Sequence, residues 1–325
     1  MSEMIKNRSE ILFLYDVTNS NPNGDPLDEN KPRIDEGTGI NIVTDVRLKR
    51  TVRDYLHDFR QQEIFVRGIP DENDKTKLKT KEDRYAEFGS PNEIIKKCVD
   101  IRLFGGTFAL KSGKKKGEKS GNEESPETEE GKAFSITGPV QFKFGRSVHK
   151  VGLVYVKGTT VMPSGKGKEQ GTFTERYILP YSLIAFYGIV NENAAINQNI
   201  PLSQEDVDLM IEAIWNGTKN LISGSKFGQV PRLLIRVEHK EPNYYLGELD
   251  KRIKFISDKK DEEIRDIAEG VIDITELVDA IKDQTKAINC IYYKVDERIK
   301  LQYKGNSVHI DNNLFPDIKL EALNF

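Results

Sequence analysis

The chain has 325 residues, enough for one large domain with insertions or two ordinary domains, and enough to bury a core without disulfide or metal staples. Its 49 Lys and Arg against 52 Asp and Glu give a net charge of −3, which excludes a uniformly basic nucleic-acid coat but not a basic face balanced by an acidic one. Cys98 and Cys290 lie far apart and form no CxxC pair, so a disulfide framework is excluded and a reducing, cytoplasmic setting is expected. The opening MSEMIKNRSE has no apolar signal core. The longest apolar run, 177–190, is shorter than the roughly 18 residues of a membrane span and is interrupted by Pro180, so no membrane contact is expected.

Residues 10–18 (EILFLYDVT) predict a strand buried on both faces. The following NSNPNGDPLDENKPRIDEGTG is crowded with Asn, Pro, Gly and Asp and predicts a long loop, a kind that often carries function. Residues 44–60 predict the clearest helix, with Thr44 as N-cap and Asp45 in the first turn. Leu48, Val52, Tyr55, Leu56 and Phe59 make its apolar stripe, and Lys49, Arg50 and Arg53 are expected to cluster away from that stripe. Residues 63–69 predict a second strand and 91–103 a further helix.

Residues 111–131 contain no apolar residue and set a Lys block before a Glu block. Such a segment cannot repay its ordering entropy by burial, so it is expected to be disordered within an insertion spanning 70–132. The strand pattern returns in ITGPVQFKFGRSVHKVGLVYVKG, and the glycine-rich GTTVMPSGKGKEQGTFTERY predicts a projecting hairpin. Residues 177–190 and 230–239 predict buried strands around a helix at 203–219, with Ser203 as N-cap and Gly217 near its stop. The tail is acidic over 258–283 and predicts a helix at 275–285 and a strand at 287–296. With the insertions set aside, the order is βαββαβ. The expectation is an α+β, ferredoxin-like or RRM-like fold whose sheet carries two helices on one face and leaves the other open.

The order of charges says more than their sum. No Asp or Glu occurs from 131 to 168, where Lys132, Lys143, Arg146, Lys150, Lys157, Lys166 and Lys168 sit with His149. In QFKFGR, Phe142 and Phe144 alternate with cations, a pattern suited to phosphates and stacked bases. The plainer reading is a sheet edge protected by lysines. Lys49, Arg50 and Arg53 would grip a phosphate chain, or form an ordinary solvated face. SGSKFGQVPR (223–232) offers small residues and the donors Ser225, Lys226 and Gln229, or is simply a loop before a strand.

Enzyme signatures fail. Gly158 and Gly165 have the wrong spacing for a Walker A loop, and neither HExxH nor GxSxG occurs. His57, His149, His239 and His309 are isolated and read as surface or packing residues. Asp16, Asp25, Asp28 and Asp35 read as turn formers before metal ligands. No catalytic residue, metal or cofactor is expected.

The run YDVTNSNPNGDPLDENKPRIDEGTGINIVTDVRLKRTVRDYL resembles the N-terminal signature of the CRISPR Cascade backbone subunit, the Cas7 family of type I effector complexes, closest to the I-B branch with I-C as a near relative. DIRLFGG, SITGPVQFKFGRS, GTFTERYILPYSL and SGSKFGQVPRLLIRVE follow in the family's order. The resemblance implies a hand: an RRM-like palm (1–69, 133–156, 177–245), a helical finger insertion (70–132), a thumb hairpin (157–176) and a C-terminal extension packed on the palm (246–325). It implies a non-catalytic subunit whose copies polymerise along a guide crRNA, displace bases at regular intervals and present the rest to target DNA beside other Cascade subunits. Carried over residue by residue, the RNA contacts are Asn21, Asn23, Lys49, Arg50, Arg53, Ser225 and Lys226; Thr44, and from the charge and donor pattern Lys143, Arg146 and Gln229, complete the candidate RNA contacts. Met162, Lys166, Thr172 and Phe173 are the base-displacing thumb residues, and Gly224 stands where a basic residue is usual.

Two rivals are open. One is a guided target-RNA endonuclease of type III character using Asp25 or Asp35. The other is a monomeric, general single-strand RNA-binding protein. The acidic 258–283 segment, with Asp261, Glu262 and Glu263, is expected to meet the basic face of the next copy.

Overall fold

The computed structural model describes residues 3–108, 134–159 and 173–325. Residues 111–131 and the thumb candidates Met162, Lys166 and Thr172 lie outside the described residues, and Phe173 is described in its backbone alone. In chain order the elements are β1 (Ser9–Ser20), β2 (Ile40–Val43), α1 (Asp45–Arg60), α2 (Lys81–Phe88), α3 (Pro91–Lys97), α4 (Val99–Phe104), β3 (Gly105–Phe108), β4 (Phe134–Thr137), β5 (Val140–Phe142), β6 (Gly145–Lys150), β7 (Val154–Thr159), β8 (Phe173–Val190), α5 (Glu192–Asn197), α6 (Gln204–Lys219), β9 (Gln229–His239), α7 (Thr275–Asp283), β10 (Ile288–Val295) and β11 (Lys319–Ala322).

The main sheet runs β11-β10-β9-β1-β8-β6-β2, with Ile34–Asp35 beyond β2 and with β5 and β7 pairing on β8. Its pairs are antiparallel except β10–β11, which is parallel. β1 lies at the centre because its side chains are apolar on both faces. Ile11, Phe13, Tyr15 and Val17 point into one core, and Leu12 and Leu14 into another. The first core is closed by Leu48, Val52 and Leu56 of α1 and by Val207, Met210, Ile211 and Ile214 of α6.

Three expectations about single elements are corrected. Residues 63–69 form no strand, because Asp100 accepts hydrogen bonds from the Phe65 and Val66 amides at 2.8 and 3.2 Å and so satisfies the groups a strand would pair. β6, after the insertion, takes the place beside β8 instead. The 91–103 helix is two short helices broken at Cys98, whose backbone is extended at φ −98 and ψ 108. Phe59 leaves the apolar stripe of α1; it is exposed and stacks on Tyr55 with ring centroids 5.0 Å apart. Gly217 lies near the end of α6, which runs to Lys219, as expected. A Cβ there would lie 3.1 Å from the Thr51 side chain and backbone, so the glycine lets α1 and α6 approach closely.

The second sheet face is not open. Ile253, Ile264, Ile272, Leu277, Val278, Ile281 and Phe315 of the C-terminal region cover Leu12, Leu14, Tyr181, Leu183, Leu233 and Ile235. β10 and β11 extend the same sheet past β9, and a four-stranded sheet of Lys254–Ile256, Val271–Asp273, Leu301–Tyr303 and Asn306–Val308 completes that layer. By contrast, β7 leaves the core. It pairs with β8 from Val154↔Ile178 to Thr159↔Phe173, and almost all its side chains are exposed. Among the described residues, no helix is long and apolar enough to cross a membrane.

Candidate nucleic-acid interface

A groove of about 860 Å³ lies between the outer face of α1 and the loop joining α6 to β9. Among the described residues, Arg47, Arg50, Arg53, Arg67 and Lys226 line it against two carboxylates, Asp54 and Asp58. The helix places Arg47, Arg50 and Asp54 along one side, since residues three and four apart share a face. Arg50 bonds Asp54 at 2.6 Å, but both are solvated, so the pair contributes little and gives way to a stronger anion.

The loop wall is held by its own backbone. The Lys226 and Phe227 amides both donate to the Ser223 carbonyl at 2.8 Å, and the turn closes at Gly228 with φ +96. Ser20 Oγ and the Asn21 amide donate to the Ser225 carbonyl at 2.7 and 3.0 Å. Lys226 Nζ donates to the Asn21 carbonyl at 2.6 Å. Burial, and then the Arg47 charge, push the Lys226 ammonium down to about 8. Burial likewise holds the Arg47 guanidinium below its usual range. Two half-buried cations beside one another favour an anion in the groove.

The sequence-predicted residues divide. Arg50 and Lys226 face the groove. Lys49 is corrected: it is buried, 2.9 Å from Asp45 and 3.1 Å from Gln141, and lies over the Phe104 ring. Arg53 lines the groove, yet its Nε is committed to the fully buried Asp100 at 2.9 Å. The three cations therefore do not cluster on one face, because Lys49 and Arg53, four residues apart, share a row turned toward α4. Arg47 was missed; its place three residues before Arg50 is the signal that marks it.

Asn21 is buried and donates to the Asn30 carbonyl at 2.6 Å. Asn23 Oδ1 accepts from both the amide and the hydroxyl of Thr44 at 2.8 Å, so Thr44 begins α1 without its side chain capping the helix. These residues organise the loop around its neighbours. Gln229 is buried and shares a small internal cavity with Tyr15 and Arg47. Ser225 contributes its carbonyl to the loop bonds already described. At Gly224 a Cβ would sit 3.3 Å from Arg176 Nη1, so β8 brings a guanidinium to the side of the loop where a basic residue was absent.

Lys143 and Arg146 belong elsewhere. Lys143 lies 3.6 Å from Glu248 and over the Tyr187 ring, and Arg146 lies 3.7 Å from Asp35, on the sheet face away from α1. The aromatic alternation in QFKFGR is also corrected: Phe142 is buried against Gly188, and only Phe144 is exposed. Asp25 pairs with Arg33 at 2.6 Å, Asp28 with Lys31 at 2.7 Å, and Asp16 with Arg232 at 2.9 Å. Asp35 accepts from the Gly37 amide. Among the described residues no group of three or more side chains is placed to hold a metal ion.

Fold and groove together define an α+β protein with a large mixed sheet, a projecting strand pair and a cationic channel along one helix. The family model for CRISPR-associated protein Cas7 matches residues 7–275. A curated protein of Haloferax volcanii described as CRISPR-associated protein Cas7 is 33% identical over 94% of this chain and 92% of its own length. The chain belongs to the Cas7 family. A chain of a solved structure described as a CRISPR RNA-guided surveillance complex, pre-nicking, shares the fold at a TM-score of 0.53 and 12% identity, covering 98% of this chain and 96% of that one. A second surveillance-complex chain gives 0.48 at 16% identity, covering 92% and 95%.

Proposed function

We propose that this protein is the non-catalytic crRNA-binding backbone subunit of a type I Cascade complex, polymerising along the guide and presenting it to target DNA. The observation that carries the reading is the groove: Arg47, Arg50 and Lys226 face an open channel in which cations outnumber carboxylates among the described residues. Such contacts hold phosphates without reading sequence, which a scaffold for arbitrary guides requires, and pairing supplies the specificity. Membership in the Cas7 family and the fold shared with a chain of an RNA-guided surveillance complex support the same reading.

In this reading the palm is 1–69, 133–156 and 177–245, the finger 70–132, the thumb 157–176, and 246–325 a supporting extension. The paired stems of β7 and β8 would carry Met162, Lys166, Thr172 and Phe173 toward a neighbouring copy. Lys143 and Arg146, on the far face, are assigned to a separate stretch of the guide path or to the next copy. Sizing the complex on single-stranded RNAs of increasing length tests the reading. Stepwise addition of copies is expected. One copy regardless of length would favour a monomeric RNA-binding protein, and regular cuts in complementary RNA with Mg²⁺ would favour a nuclease.

A further inference from the structure

The groove holds a chemical feature that phosphate binding alone does not require. Most lysines whose partners are described are tied to carboxylates: Lys31 to Asp28, Lys254 to Glu276, and Lys79 to both Glu72 and Glu87. Those partners raise the ammonium, to about 12 at Lys79. Lys226 has the opposite surroundings. Its Nζ bonds a backbone carbonyl, Arg47 is the charge that acts on it, Arg50 and Arg53 line the same groove, and Asp54 is engaged by Arg50. Arg67 from the segment after α1 adds a further cation to the same groove, and the exposed His57 is bonded to Asp58.

We propose that Lys226 is a self-acylating site: in the RNA-free subunit it takes an acyl group from small acyl phosphates, and the acylated subunit loses its grip on RNA. The inference rests on the groove being the RNA channel. The guanidinium groups bind the phosphate end of the donor and place its carbonyl beside Nζ. With Nζ held at about 8, roughly a fifth of Lys226 is neutral near pH 7.4, against about one in a thousand for an ordinary lysine. The neutral amine still donates one N–H to the Asn21 carbonyl and keeps its lone pair free. That pair attacks the acyl carbon, an N–C bond forms, and the C–O bond to phosphate breaks. Phosphate leaves with the bonding electrons, and the amine's proton passes to phosphate or water. The product amide is uncharged, so one phosphate contact is lost. A bound guide would fill the channel and draw Lys226 back to its charged form, which confines the reaction to unassembled subunits.

The test treats full-length protein, stripped of nucleic acid, with acetyl phosphate and follows each lysine by peptide mass spectrometry. Lys226 is expected to label at least fivefold faster than Lys79, saturating single-stranded RNA is expected to suppress that labelling, and Arg47→Gln is expected to slow it severalfold. The acetylated subunit is expected to bind RNA severalfold more weakly. Equal rates at Lys226 and Lys79, undiminished labelling of Lys226 in RNA-saturated protein, or undiminished RNA affinity after acetylation would each overturn the proposal. If the untreated subunit binds no RNA, the function proposed above falls and the regulatory half of this inference falls with it. The Lys226 to Lys79 rate ratio then decides the chemical half on its own.

Discussion

Arg50 and Arg53 are both arginines on one helix, and the structure gives them different work. Arg53 balances Asp100, which is fully buried and also holds the Phe65 and Val66 amides. Arg53→Ala is expected to cost about 3–5 kcal/mol of stability, read by chemical denaturation, because it leaves a buried carboxylate without its counter-charge. Arg50→Ala should leave stability within about 0.5 kcal/mol and instead lower the salt slope of RNA binding by about one phosphate. Lys226 sets stability against binding in a third way. Its folded pKa, about 8, lies below the ordinary lysine value, so the unfolded chain binds more protons between about pH 8 and 10.5. Stability attributable to Lys226 should therefore rise with pH across that window. Thermal melts of the natural protein are expected to gain on Lys226→Met between pH 8 and 10, while Lys226→Met melts higher at pH 7 and binds RNA more weakly.

Among elements, the main helices and strands were legible because each carries a complete local pattern. Ser203 and Asp206 form the capping box that starts α6, and β1 alternates between two cores as its run of apolar residues implied. The strand expected at 63–69 was not legible, since its amides bond Asp100, about 35 residues on, and no local pattern reports such a partner. The β7–β8 hairpin separates fold from assembly. Thr159 and Phe173 are register partners, so replacing 160–172 with Asn-Gly closes a two-residue turn on an existing ladder. That variant is expected to melt within a few degrees of the natural protein yet to add no further copies on longer RNAs. Unchanged stepwise assembly would remove the hairpin from the proposed thumb role.

For the whole molecule, the C-terminal region is structural. It covers the central strands on one face of the sheet, so a chain ending at 245 would expose Leu12, Leu14, Leu183, Leu233 and Ile235 together. Expression of that shortened chain is expected to give aggregates rather than a soluble palm, seen by size exclusion. The acidic stretch in this region is partly engaged internally: Asp261 accepts the Lys150 amide at 2.9 Å, and Asp266 pairs with Arg298. Charge reversal intended to probe contact between copies therefore belongs at the exposed Glu262 and Glu263.

By itself the sequence determined the family, the order of the main helices and strands, and a net charge of −3 composed of an acid-free stretch and compensating acidic segments. These follow from local pattern and charge order, which neighbours along the chain carry. The tertiary structure alone decided which cations are free. Whether Lys49 meets Gln141, Arg53 meets Asp100, or Lys226 meets a carbonyl and Arg47 depends on groups brought together from distant parts of the chain. Ion pairing and desolvation act over a few ångströms of space, whatever the separation in sequence.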